Sequence, residues 1–117
     1  MKKIGSLKIL PSHKIKESMV SIGFECLDRK LFNPERCYDP LGESGVKYAR
    51  VQTGWAICEK VKGEINFEWL DGIVNNLLDR GIVPWFNVGF GNPAYMENVP
   101  NKTAVGCVPL YYGEETL

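Results

Sequence analysis

Six side chains carry most of the chemistry that this sequence offers: Glu25, Arg50, Gln52, Trp55, Asn87 and Asn92. Each falls at or just beyond the end of a stretch that reads as a strand. The first of these stretches is Ser21 to Glu25, the second Val46 to Thr53, and the third Gly81 to Gly89. Between the second and third lies a helical stretch, so the order strand, helix, strand predicts a parallel pair with a crossover. Ligands of parallel sheets bind at the carboxyl ends of the strands. Asn87 and Asn92 offer donors and acceptors together, which suits a ligand rich in hydroxyls. Asn92 precedes Pro93 and fits a turn equally well. Arg50 and Gln52 alternate along one strand and so point to the same side. Glu25 either binds a ligand hydroxyl or pairs with Arg50 on the neighbouring strand, and the two roles are compatible. Trp55, in a loop, is the better stacking residue; Trp85, in mid-strand, reads as core, and Trp69, in the helix's first turn, as packing.

The elements that must position these groups follow from period and punctuation. Phe67, Leu70, Ile73, Val74, Leu77 and Leu78 recur at three- and four-residue steps and predict a helix over 67–80. Asn66 is its expected N-cap and Gly81 its C-cap, with Asp71, Asn75, Asn76 and Asp79 on the wet side. Asn33 followed by Pro34 starts a shorter helix expected to reach Ser44, with Gly45 as cap. Pro40 conflicts with it and predicts a kink or break. Pro84 lacks a ladder donor, so the third strand is expected to pair only from Trp85 onward. Ile22, Phe24, Val51, Ile73, Leu77, Ile82 and Phe86 are the expected core. Residues 1–20 form an extension, with Ile4 to Leu10 extended; 93–109 is a loop, and Tyr111 to Leu117 could open another helix.

Composition sets the outer limits. The chain has 117 residues, enough for one domain, and a formal net charge of zero with scattered basic residues. That pattern predicts no nucleic-acid partner and no anionic membrane partner. No apolar run reaches the ~20 residues of a membrane span, and Pro11, Ser12 and His13 interrupt any signal-peptide pattern, so a cytoplasmic location is expected. Cys26, Cys37, Cys58 and Cys107 lack metal-ligand spacing. They read as free thiols, and no metal or other cofactor is expected. Gly89 and Gly91 stand without the remaining glycine and lysine of a phosphate loop.

The strand-end segments also carry a resemblance. Ser21-Ile22-Gly23-Phe24-Glu25-Cys26-Leu27-Asp28-Arg29 resembles the opening barrel strand of family thirty-nine glycoside hydrolases and their clan A relatives, the β-xylosidase and α-iduronidase type enzymes. Ala49-Arg50-Val51-Gln52-Thr53-Gly54-Trp55, then Cys58-Glu59-Lys60 and Gly63, is similar to the second strand and its loop. Phe67-x-Trp69-Leu70-Asp71 resembles the start of the next helix, and Pro84 to Pro93 the third strand and its loop. The likeness runs from about Ser21 to Tyr112.

It implies an α/β fold, a partial (β/α)8 barrel of about the first three βα units, out of a family barrel of ~250 residues. It implies a β-glycoside as ligand and, as partner, the remainder of the barrel or another copy of the chain. In this clan the acid/base glutamate follows an asparagine on the fourth strand, and the nucleophile ends the seventh. The sequence has no Asn-Glu pair, so no catalytic residue carries over. Arg50 matches the arginine that supports the nucleophile, and Gln52 stands where many members carry histidine. Retaining hydrolysis needs carboxyl groups ~5–5.5 Å apart; Glu25, Asp28, Glu59 and Glu64 are the carboxylates to consider, with Glu25 favoured for binding. The alternative is a self-contained, non-catalytic protein that binds carbohydrate or self-associates.

Overall fold

The computed structural model describes residues 4–96, 99, 102–104 and 107. Among these, a three-stranded sheet has the order β1 (Ser21–Gly23), β2 (Tyr48–Gln52), β3 (Val83–Asn87), and both pairings are parallel. The α1 helix (Tyr38–Glu43) joins β1 to β2; a single turn, α2 (Trp55–Cys58), and α3 (Glu68–Asp79) join β2 to β3. This is the expected α/β order of strands and crossover helices. Three strands do not close a barrel, and the partial-barrel reading goes beyond this sheet.

α3 forms where its period requires. Leu70, Ile73 and Leu77 are buried, while Phe67 and Leu78 flank the stripe and are exposed. Asn66 caps one position early: its Oδ1 accepts from Glu68 N at 2.8 Å, and Phe67 holds the boundary. The helix stops at Gly81, whose φ of 76° allows Gly81 N to donate to Leu78 O and Ile82 N to Leu77 O. A Cβ at Gly81 would lie 2.5 Å from His13 Cα, so the segment around residue 13 rests directly on this turn. Asn33 caps a 3-10 turn, Pro34–Arg36, through Glu35 N. The expected single helix then breaks at Cys37 rather than at Pro40. Pro40 falls in the first turn of α1, where no intrahelical donor is needed.

The core is Phe24, Leu27, Tyr38, Leu41, Ala49, Val51, Leu70, Ile73, Leu77 and Ile82, lying between one face of the sheet and α1 and α3. Phe24, Val51, Ile73, Leu77 and Ile82 are buried as expected. Ile22 and Phe86 are not, at 39% and 45% exposure. Both lie on the outer strands, opposite the buried Ala49 and Val51, and each has a neighbouring strand on one side only among the described residues. β3 also pairs from Val83, two residues before the expected point, with Ala49 opposite Pro84. Val83 N donates to Lys47 O and Asn87 O accepts from Thr53 N, so Val83, Trp85 and Asn87 address β2. Pro84 therefore turns its nitrogen to the free edge, where β2 does not need it. Ile4 to Leu10 is exposed and contains no assigned strand. The expected helix at Tyr111 to Leu117 lies outside the described residues.

Candidate functional site

The second face of the sheet has no covering element among the described residues. Register sets its rows: Ser21, Tyr48 and Val83, then Gly23, Arg50 and Trp85. Gln52 opposite Asn87 makes the last row, at the carboxyl ends. Trp85 is exposed here rather than core, and its indole Nε1 donates to Ser21 Oγ at 3.2 Å. The Arg50 guanidinium lies 5.8 Å from the Trp85 ring centre. Two faces of one strand thus divide the work. Ala49 and Val51 are wholly buried under the helices, and Arg50 projects from the open side.

The expected Glu25–Arg50 pair forms, with Arg50 donating through both Nε and Nη2 to Glu25 Oε1. Gln52 is buried, and its Oε1 accepts from Cys26 N at 3.3 Å, tying the end of β2 to the turn after β1. Asn87 is half-buried at the end of β3, and its amide makes no side-chain hydrogen bond among the described residues. Glu25, Arg50, Gln52 and Asn87 therefore come together, with Trp85 beside them.

Asn92 and Trp55 belong to a separate cluster. Asn92 is buried: its Nδ2 donates to Glu59 O at 2.7 Å, and its Oδ1 accepts from Ala94 N at 2.9 Å. Its amide is committed to the loop and caps the turn Pro93–Tyr95. Trp55 opens α2 and donates Nε1–H to Glu59 Oε2 at 2.5 Å. Glu59 is 5% exposed, and its Oε1 also accepts from Gly63 N at 2.7 Å and from the Tyr95 hydroxyl. These donors, Tyr95 first, then Trp55 and Gly63, hold the Glu59 carboxyl below its ordinary range. The Trp55 and Tyr95 rings sit 5.2 Å apart, and Lys62 Nζ lies over the far ring at 4.7 Å. The i, i+4 spacing of Trp55 and Glu59 was a signal for this contact; Tyr95, 36 positions away, gave none.

The remaining carboxylates are placed differently. Asp28 is buried, with Arg29 Nε at 3.8 Å, too long for a hydrogen bond. It packs beside Gly54, where a Cβ would stand 2.7 Å from the Trp69 ring. Gly54 adopts φ 60°, so the loop turns over Trp69 at a point no other side chain fits. Glu64 is exposed. No group of three or more His, Cys, Asp or Glu side chains that could hold a metal ion occurs among the described residues. No described helix is long and apolar enough to cross a membrane.

A cleft of about 350 Å³ opens beside this second cluster, with Thr53, Trp55, Cys58, Glu59, Ile65, Phe67 and Val88 in its walls. A larger cleft of about 490 Å³ lies between the α2 loop and the start of α3 and touches no strand-end residue. No family model, no curated protein and no solved structure matches this chain.

Proposed function

We propose that this chain is the N-terminal part of a retaining glycoside hydrolase barrel of β-xylosidase type. In that reading it contributes sugar-pocket residues and neither catalytic glutamate. The observation that carries it is the convergence of Glu25, Arg50, Gln52 and Asn87, with Trp85, on one face that no described element covers, toward the carboxyl ends of three parallel strands. Parallel sheets are covered on both faces. Further strands closing over this face would turn the row into the wall of a pocket. There Arg50 would support a carboxylate, and Asn87 would meet ligand hydroxyls with its unspent amide. The sugar and linkage rest on the resemblance alone, since one barrel hosts many chemistries.

Titration of the labelled protein with methyl β-D-xyloside, followed by amide NMR, tests the pocket. Shifts at Gln52, Asn87 and Trp85 are expected, and Asn87→Ala should weaken them. Shifts confined to other surfaces would reject the site. Aryl β-xylosides should not be turned over; turnover that vanishes in Glu25→Gln would move Glu25 from binding to catalysis.

The second reading, a self-contained protein that self-associates or binds carbohydrate, is favoured by one feature: the edge of β3 and the open face both expose apolar side chains, among them Val83, Trp85, Phe86 and Val88. Bare edges and apolar patches drive association. Sedimentation at micromolar concentration tests self-association, and a stable monomer with cooperative unfolding would favour a self-contained module over an open part of a barrel.

A further inference from the structure

We infer that Glu59 is a positioning residue for Trp55, and that the cleft it walls takes the apolar aglycone of a β-glycoside rather than a second sugar. This rests on the proposed sugar site. The cleft shares no lining residue with that site but begins one residue beyond it on two strands: Thr53 follows Gln52, Val88 follows Asn87, and Thr53 N donates to Asn87 O at 3.3 Å. Its walls are the Trp55 ring, Ile65, Phe67 and Val88, with a volume in the range of small-molecule sites. Its polar groups are few. Both Glu59 oxygens are already committed to donors, so the carboxylate has little capacity for ligand hydroxyls. A second pyranose would leave hydroxyls unpaired here, which is costly. An aryl or alkyl group meets no such penalty and gains contact with the indole.

Glu59 fixes that indole through acceptors alone. Its three side-chain partners, Trp55 Nε1–H, Gly63 N–H and the Tyr95 hydroxyl, all donate. Its own carbonyl accepts from Asn92, so one residue joins the loop after β2 to the loop after β3. A glutamine is the same shape but has one acceptor oxygen. Turning that oxygen to Gly63 and Tyr95 sets an N–H₂ against the Trp55 N–H. Glu59→Gln should therefore release Trp55 in particular.

The test compares p-nitrophenyl β-D-xyloside, methyl β-D-xyloside, xylobiose and free p-nitrophenol, each titrated against the full chain by NMR. The aryl glycoside should bind about tenfold tighter than the methyl glycoside, and Trp55→Ala and Glu59→Gln should erase that difference. In Glu59→Gln the Trp55 indole N–H should lose exchange protection, with those of Trp69 and Trp85 unchanged. Tyr95→Phe, which keeps the ring and removes one donor, should retain part of the aryl preference and guards against misfolding of the first two variants. An aryl preference that survives Glu59→Gln overturns the positioning role. An equal gain from xylobiose overturns the apolar assignment. If p-nitrophenol binds through Trp55 but no xyloside does, the sugar reading fails and the cleft stands. If neither binds, or if a dimer broken by Val88→Lys covers the cleft, the cleft assignment fails.

Discussion

Arg50→Met, Glu25→Gln and the double variant form a thermodynamic cycle that asks whether the second face of the sheet is wet. The Arg50 side chain is 43% exposed and that of Glu25 22% exposed. A pair in that setting lies near the surface limit. Two charges ~4 Å apart gain about 1 kcal/mol at the dielectric constant of water and about 4 kcal/mol at an effective constant of 20. Ordering two long side chains offsets much of this, and exposed pairs couple by ~0.2–1 kcal/mol. The expected coupling is therefore about 0.5–1 kcal/mol. It should shrink between 0.1 and 1 M salt, as the screening length falls from ~10 to ~3 Å. Arg50→Met alone should cost more than Glu25→Gln alone, because it also removes the cation from the Trp85 ring. Urea unfolding followed by circular dichroism at the two salt concentrations gives all four stabilities. A coupling above ~2 kcal/mol that ignores salt would mark a desolvated pair. It would refute the open face and require a covering element in solution.

Leu77→Ala should cost ~2–5 kcal/mol, because Leu77 is 0% exposed, whereas its neighbour Leu78, at 49%, should lose well under half as much; equal losses in urea unfolding would reject the orientation of α3. Burial raises the Cys58 thiol above its ordinary value, with a smaller contribution from Asp71, so Cys58 should react last among the described cysteines with a disulfide reagent at pH 8. Glu59 has its folded carboxyl lowered, so its contribution to stability is complete above the unfolded value of ~4.3 and is lost as pH falls below it. Thermal melts of wild type and Glu59→Gln should therefore converge toward pH 3 and separate at pH 7, and a gap that widened with acid would contradict this. Tyr38 has the opposite sign: burial raises its hydroxyl, so its contribution holds below ~10 and fades as pH climbs through the raised folded value.

What could be read from the sequence was what depends on near neighbours. The helical stripe from Leu70 to Leu77, the turn at Gly81 and the Asn33 cap are decided within a few residues, and the structure has all three. The Glu25–Arg50 pair was legible because Glu25 follows β1 by two residues and Arg50 lies on the adjacent strand, opposite Gly23. Phe86 and Ile22 were misplaced because burial on an outer strand depends on a neighbour that strand chemistry alone cannot supply. The exposure of Trp85, a mid-strand aromatic, has the same cause. Asn92 looked equally like a ligand contact and a turn residue, and only the approach of Glu59 O from another loop decides its use. Glu59 is visible in the sequence as a carboxylate, but its donors come from three places in the chain.

β3 tolerates Pro84 because its nitrogen faces away from β2. Seen from the other side, it is a registration mark. Pro84, Phe86 and Val88 all address the free edge, where Pro84 and Phe86 present carbonyls and Phe86 and Val88 present N–H groups. A parallel neighbour finds complementary groups there only if it starts its donor-acceptor pattern after the proline. A strand slipped by two residues toward the start of β3 would leave a carbonyl facing a ring that donates nothing. Whatever lies against this edge, whether a later stretch of a barrel or a strand of another copy, is thereby told where to begin.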